Sequence, residues 1–307
     1  MAILLYFLKV NIGLLAFYTL YGLVFSRNTF FRINRFYLLG SIIVSFLLPF
    51  IKIKHNAGLE LPLTLNEYSF DGLRSFLNTS LGLYDITTLD AIQFTYLSGV
   101  AILSVRFVYS FIKVFRLLFK SEPLDFTETY EGNRYWLIKS HFITSSFSFF
   151  NFLILNREDS FYNRKFVIEH EEVHIDQHHT IDIILVELVQ IICWFNPIAI
   201  LYKNSLQKLH EFIADSIIHP TDLAEYAQFL FAYNFRTNMS HLTSSFMQES
   251  LLKQRIRMLT RQPSYQYALT QYLLLIPVLL ILGYFINIKN IDRSNKSYSQ
   301  PIAWILK

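Results

Sequence analysis

The chain has 307 residues, of which 53% are hydrophobic and 16% charged, with 30 Phe and 9 Gly. Soluble domains are usually about one quarter charged, so this composition excludes disorder and argues against two or three ordinary soluble domains. A net charge of +4, spread along the chain, leaves no nucleic-acid footprint, and the single cysteine, Cys193, excludes an internal disulfide framework. The apolar excess must face something other than water, and a bilayer is the natural candidate.

The first span is expected over about 2–25, an apolar run interrupted by Lys9 and Asn11. It has no basic start and no small-residue cleavage site, so it does not read as a signal peptide. A second span is expected over about 36–52, ending near Pro49, and a third over about 91–112, carrying Arg106. The first 114 residues then form a membrane region. Residues 115–267 form a separate domain, 268–288 a fourth span, and 289–307 a short tail. A further apolar run, Ile183 to Leu201, holds Glu187 and Gln190 and breaks at Asn196-Pro197. It reads as buried in protein or lying at the membrane surface.

Short loops rich in Lys and Arg stay in the cytoplasm. Arg27, Arg32 and Arg35 lie between spans one and two, Lys113, Arg116 and Lys120 follow span three, and Lys253, Arg255, Arg257 and Arg261 precede span four. The loop from Lys52 to Asp90 is acid-rich. This predicts a multi-pass inner-membrane protein with its N-terminus outside and the 115–267 domain in the cytoplasm. The tail dissents, since Lys289, Arg293, Lys296 and Lys307 outnumber Asp292. Arg106 and Lys9 are intramembrane charges that read as functional or as snorkelling side chains.

The domain contains His170-Glu171-Glu172-Val173-His174 inside a helical pattern running from roughly Phe166 to Phe195. Residues four apart share a helix face. Two imidazoles there can hold one Zn²⁺ while the intervening carboxylate of Glu171 polarises a water. Three places could supply a third ligand. The metzincin pattern fails, because Gln177 and Thr180 occupy its Gly and His positions. His178 lies about 80° around the helix from His170 and two turns along, so His178 and His179 suit supporting or surface roles better. The remaining candidate is Glu211, in His210-Glu211-Phe212-Ile213-Ala214-Asp215, after the Asn196-Pro197 break lets the chain return antiparallel. Glu211 would ligate, and Asp215, one turn on, would accept a hydrogen bond from a ligand imidazole.

The HExxH helix, the Trp194-Phe195-Asn196-Pro197 break, the Glu211-x-x-x-Asp215 pair and the Lys253-x-Arg255-Ile256-x-Met258-Leu259 run resemble the BlaR/MecR family of membrane-embedded zinc peptidases. The Phe-Phe-Arg-Ile-Asn-Arg-Phe-Tyr run near the start is similar to short members, and the resemblance spans nearly the whole chain. It implies a mainly α membrane protein with four transmembrane helices and a cytoplasmic gluzincin-like α+β metalloprotease domain inserted between helices 3 and 4. It also implies His170, His174 and Glu211 as zinc ligands, Glu171 as catalytic base, and transmembrane signalling by cleavage of a transcriptional repressor or of the protein itself. A homodimer is compatible with the family. About nineteen residues follow Ile288, too few for an outer sensor domain, so beta-lactam sensing is not carried over.

Tyr135 to Lys139 and Ser146 to Leu155 suit β-strands. A peptide could add to an edge strand beside the metal helix, or Phe147, Phe149, Phe150 and Phe152 could simply pack the sheet. Tyr202 and His219 lie within sequence reach as oxyanion donors. Asp176 and Asp182 read as solvated or structural, Cys193 as a small core residue, and the cluster from Lys253 to Arg261 as an anchor for the last span. The competing functions are a housekeeping membrane protease of the heat-shock or prenyl-protein type, and a non-catalytic signalling scaffold.

Overall fold

The computed structural model describes residues 2–51, 88–129, 131–157, 159, 164–218, 220–238 and 245–284. Residues 52–87 of the expected outer loop, the tail and His219 lie outside the described residues. Helix α1 (Ala2–Leu20) runs on through a wider turn at Tyr21–Phe25, and α2 (Phe31–Leu47) ends in a tight turn at Leu48–Phe50. Helix α3 (Thr88–Lys120) leads into four strands: β1 (Glu122–Glu128), β2 (Arg134–Ser140), β3 (Phe147–Phe149) and β4 (Phe152–Asn156). Five helices follow: α4 (Arg164–Asp176), α5 (His179–Ile192), α6 (Pro197–Asp215), α7 (Leu223–Asn238) and α8 (Ser245–Leu259). A last segment begins as a tight helix, Gln266–Leu274, and continues helically over 275–284.

The protein is therefore mostly helical with one small mixed sheet. Three helical stretches are long and apolar enough to cross a membrane: Tyr6–Phe25, Phe31–Phe50 and Gln266–Tyr284. The second starts five residues before the expected position, so Arg32 and Arg35 belong to the helix and not to a loop. Helix α3 contains the stretch 91–112 expected as the third span but is not one of these three; it carries Asp90, Arg106, Lys113 and Arg116 along its 33 residues.

Apolar side chains point outward from these helices; Leu23 is 72% exposed and Val105 71%. In lipid, burying such groups between helices gives no hydrophobic gain, so packing rests on close contacts and buried polar pairs. The structure has several. Ser41 Oγ lies 2.9 Å from Tyr202 Oη, Tyr18 Oη 3.0 Å from Ser205 Oγ, and Tyr37 Oη donates to the Phe17 carbonyl at 2.8 Å. Val10, Leu14, Leu38 and Ile42 meet Val186, Leu206 and Leu209 in one buried cluster, which seats α1 and α2 directly on α5 and α6. Tyr272 Oη donates to Asn34 Oδ1 at 2.6 Å, tying the last segment to α2.

The sheet has the order β1-β2-β4-β3, with β2 and β4 parallel and the other pairs antiparallel. Alternation in β2 sends Tyr135 and Leu137 inward, where Leu153 and Leu155 of β4 join them against Phe166, Val167, Tyr226 and Phe229. Strand β3 stands at an edge. The β3–β4 turn places Phe150 at φ 47°, and its N–H donates to Thr180 Oγ1 at 3.1 Å, which fastens the turn to α5.

The long helix expected from Phe166 to Phe195 is broken. Helix α4 stops at Asp176, and His178 takes a left-handed φ of 52° before α5 starts. The other break falls where the sequence predicts it: Asn196 Oδ1 accepts from the Ile198 N–H at 2.8 Å, and Pro197 opens α6.

Candidate metal centre

The i, i+4 spacing on α4 brings the His170 and His174 rings together, with Nε2 atoms 3.3 Å apart. Helix α6 returns alongside α4 and delivers Glu211. Its Oε2 lies 3.4 Å from His170 Nε2 and its Oε1 4.0 Å from His174 Nε2. One ligand atom from each residue falls within a 4.8 Å cluster. A tetrahedral ion with bonds of about 2.0–2.1 Å holds its ligand atoms about 3.3 Å apart. Two of the measured edges match that distance, so the donor set fits a single small divalent cation.

Asp215 lies one turn beyond Glu211, and its Oδ1 sits 3.3 Å from His170 Nδ1. Tyr226 of α7 joins the pair: its Oη lies 3.0 Å from His170 Nδ1 and donates to Asp215 Oδ1 at 2.7 Å. Arg255 of α8 clasps both acids. Its Nη1 lies 2.8 Å from Glu211 Oε2, its Nη2 2.5 Å from Asp215 Oδ1, and its Nε 2.9 Å from Asp215 Oδ2. Two carboxylates are thus held on a fork by one guanidinium.

The electrostatics follow from this crowding. Burial alone would hold His170 neutral, but hydrogen bonds to the Asp215 and Glu211 carboxylates outweigh it and raise its pKa to about 9. His174 has no such carboxylate pair; burial and the neighbouring His170 lower it to about 3. Burial works against ionisation of Glu211 and Asp215, yet the Arg255 charge and the imidazoles hold both below the usual carboxylate range. Glu171 goes the other way. Burial pushes its carboxyl up, offset in part by His170 and Ser148. A carboxylate moved toward neutrality suits proton transfer near neutral pH.

Glu171, His174 and Glu211 open on a cleft of about 710 Å³, bounded also by Arg106 of α3, Ser148 of β3 and Gln190 of α5. The edge strand β3 runs along this cleft. Phe149 also packs on Phe111 and Phe115, with ring centroids 5.8 and 6.2 Å apart, so the aromatic residues of β3 serve packing as well.

Other residues named from the sequence lie elsewhere. Tyr202 is 1% exposed, and its hydroxyl is engaged by Ser41 inside the helix cluster, away from the cleft. Asp176 accepts from Thr129 and Asn133, a structural role. Cys193 is fully buried, as a small core residue. Asp182 is not solvated: it is 6% exposed and paired with Arg35 and His210. Sequence reasoning missed Tyr226; it gave His179 a supporting or surface role, and the structure sets His179 Nδ1 2.7 Å from His174 Nδ1. It assigned Arg255 to a membrane anchor; the one available signal was its place in the Lys253-x-Arg255-Ile256-x-Met258-Leu259 run quoted for the family resemblance.

A search of the curated proteins finds no match. The model of the BlaR1 peptidase M56 family matches residues 157–259. That stretch contains α4 through α8, hence every residue of the cluster just described. Through this region the chain is similar to the BlaR1 peptidase M56 family.

Proposed function

We propose that the protein is a membrane-embedded zinc endopeptidase that hydrolyses a peptide bond of a cytoplasmic protein, a transcriptional repressor or the chain itself, as part of transmembrane signalling. The observation that carries this reading is the convergence of His170, His174 and Glu211 with Glu171 beside them at a cleft. A His-His-Glu donor set suits Zn²⁺ and leaves a coordination position for chemistry. When bound, the metal supplies Lewis acidity toward the scissile carbonyl and lowers the pKa of a water.

The remaining steps fall to the chain. Glu171 takes the proton of the attacking water on its carboxylate and returns it to the leaving nitrogen. Asp215 and Tyr226 keep the His170 proton on Nδ1, leaving Nε2 free to ligate. Arg255 holds Glu211 and Asp215 in place. An extended substrate pairs its backbone with the outer edge of β3, supported by that strand's edge position and its place on the cleft wall.

We further propose four spans, with α3 as the third, the N-terminus outside and the peptidase region on the cytoplasmic side. The exposed apolar side chains of α3, with Arg27 between the first two spans, Lys120 at the end of α3 and Arg257 and Arg261 before the last segment, support this. Glu171→Gln tests the chemistry. The purified variant should keep stoichiometric zinc and lose cleavage of a quenched peptide library by at least about 100-fold, as expected for a general base. Cleavage at the wild-type rate would reject the assignment.

A further inference from the structure

His174 can hold a metal through Nε2 only if its proton sits on Nδ1. That nitrogen lies 2.7 Å from His179 Nδ1, so His179 must accept there and carry its own proton on Nε2. His179 is 3% exposed, and its Nε2 has no hydrogen-bond partner among the described residues. The ring is therefore not oriented by a second hydrogen bond. It is oriented by stacking on His210, with centroids 3.9 Å apart and planes 13° from parallel.

His210 is itself fixed from outside the peptidase region. Its Nε2 donates to Asp182 Oδ2 at 2.8 Å, and the same oxygen receives Arg35 Nε at 2.5 Å. Arg35 also donates from Nη2 to the Gln177 carbonyl at 2.6 Å and from Nη1 to Gln177 Oε1 at 3.3 Å. Gln177 immediately precedes His178, whose left-handed backbone swings His179 under His174. One guanidinium thus grips both sides of the kink: the end of α4 through Gln177, and α5 through Asp182. The Arg35 and Asp182 side chains are 6% and 8% exposed, so neither is free to reorient into water. Arg35 belongs to Phe31–Phe50, a helix able to span the bilayer.

We propose that Arg35 is a positioning residue for His174, acting from a membrane span through Asp182, His210 and His179. The inference rests on the metal-site reading above. It makes the position of α2 a determinant of how tightly the site holds its ion, and it connects a span to the site through residues that are not ligands themselves.

The test uses the full chain in detergent, with Zn²⁺ affinity measured by chelator competition and geometry followed by the visible absorption of bound Co²⁺. Arg35→Gln and His179→Asn should each weaken Zn²⁺ binding by roughly 10–100-fold and alter the Co²⁺ bands. Combining them should weaken it little further, since both interrupt one chain. Arg35→Lys should recover part of the loss. The double variant Arg35→Gln/Asp182→Asn leaves no unpaired buried charge and should still show the altered Co²⁺ bands, which a loss of stability alone would not produce. Wild-type affinity and bands in Arg35→Gln, or strictly additive losses, would overturn the proposal. A wild-type chain that binds neither ion would overturn the metal-site reading beneath it.

Discussion

Metal uptake should be coupled to the loss of one proton, and His170 supplies it. The Asp215 and Glu211 carboxylates raise its pKa to about 9 against the pull of burial, whereas His174, at about 3, is neutral at physiological pH. Glu211 is already ionised. Each bound ion therefore displaces one proton below about pH 9, and affinity should rise about tenfold per pH unit up to that point and then level off. From pH 7 to 9 the gain is about 100-fold, or roughly 3 kcal/mol. The same displacement has an opposite sign for the metal-free fold. A folded pKa raised from 6.5 to about 9 contributes stability that is full below about pH 6.5 and is lost as pH rises through 9, about 3 kcal/mol in all. His170 is only 9% exposed, so solvent screens little of this. Zn²⁺ competition titrations across this range, with calorimetry in buffers of different ionisation enthalpy, count the proton directly. A flat profile between roughly pH 7 and 9, or release of two protons, would refute the reasoning.

Asp215→Asn should move the onset of that pH dependence down from about 9 toward 6.5, because the carboxylate that raises His170 most is gone. Measured above pH 9, where proton competition has ended, the same variant should bind zinc roughly 10–100-fold more weakly. Gly99→Ala tests the seat of α3: a Cβ there would stand 2.5 Å from Trp194 Cε2 and 2.7 Å from its Nε1, forcing apart α3 and the α5–α6 corner. The helix-propensity gain of about 1 kcal/mol is outweighed by overpacking of about 1–3 kcal/mol. Peptide cleavage should fall while zinc content stays at the wild-type level, and replacing Trp194 by Leu in the same chain should restore it; a stabilised, fully active Gly99→Ala protein would contradict the packing.

The ligand positions were legible because their rules are local. His170, Glu171 and His174 share one turn of helix, and Glu211 and Asp215 repeat the spacing after a break that Asn196 and Pro197 announce chemically. What the sequence hid was tertiary. Nothing in Gln177-His178-His179 marks a helix end: there is no Gly and no Pro, and the kink is secured by Arg35, 142 residues away from Gln177. A continuous helix would have carried His179 away from His174; the kink brings it there. Strand β1 alternates only at Leu124 and Phe126, among Glu122, Pro123, Asp125 and Glu128, too short a pattern to announce a strand, and it is held by pairing with β2. Arg255 sits in a row of cations that looks like a lipid anchor, and only the fold shows that one of them faces inward. Tyr226 carried no signal at all.

The reach of Arg255 bears on how such a protein is made. The ligands lie within residues 170–211, but the guanidinium that locks two of their acids lies 40 residues past Asp215, shortly before the final apolar helix. Until residue 255 has been made, Glu211 and Asp215 lack the guanidinium that pairs with both. The set of charges around the cluster is thus complete only when residue 255 has joined the chain.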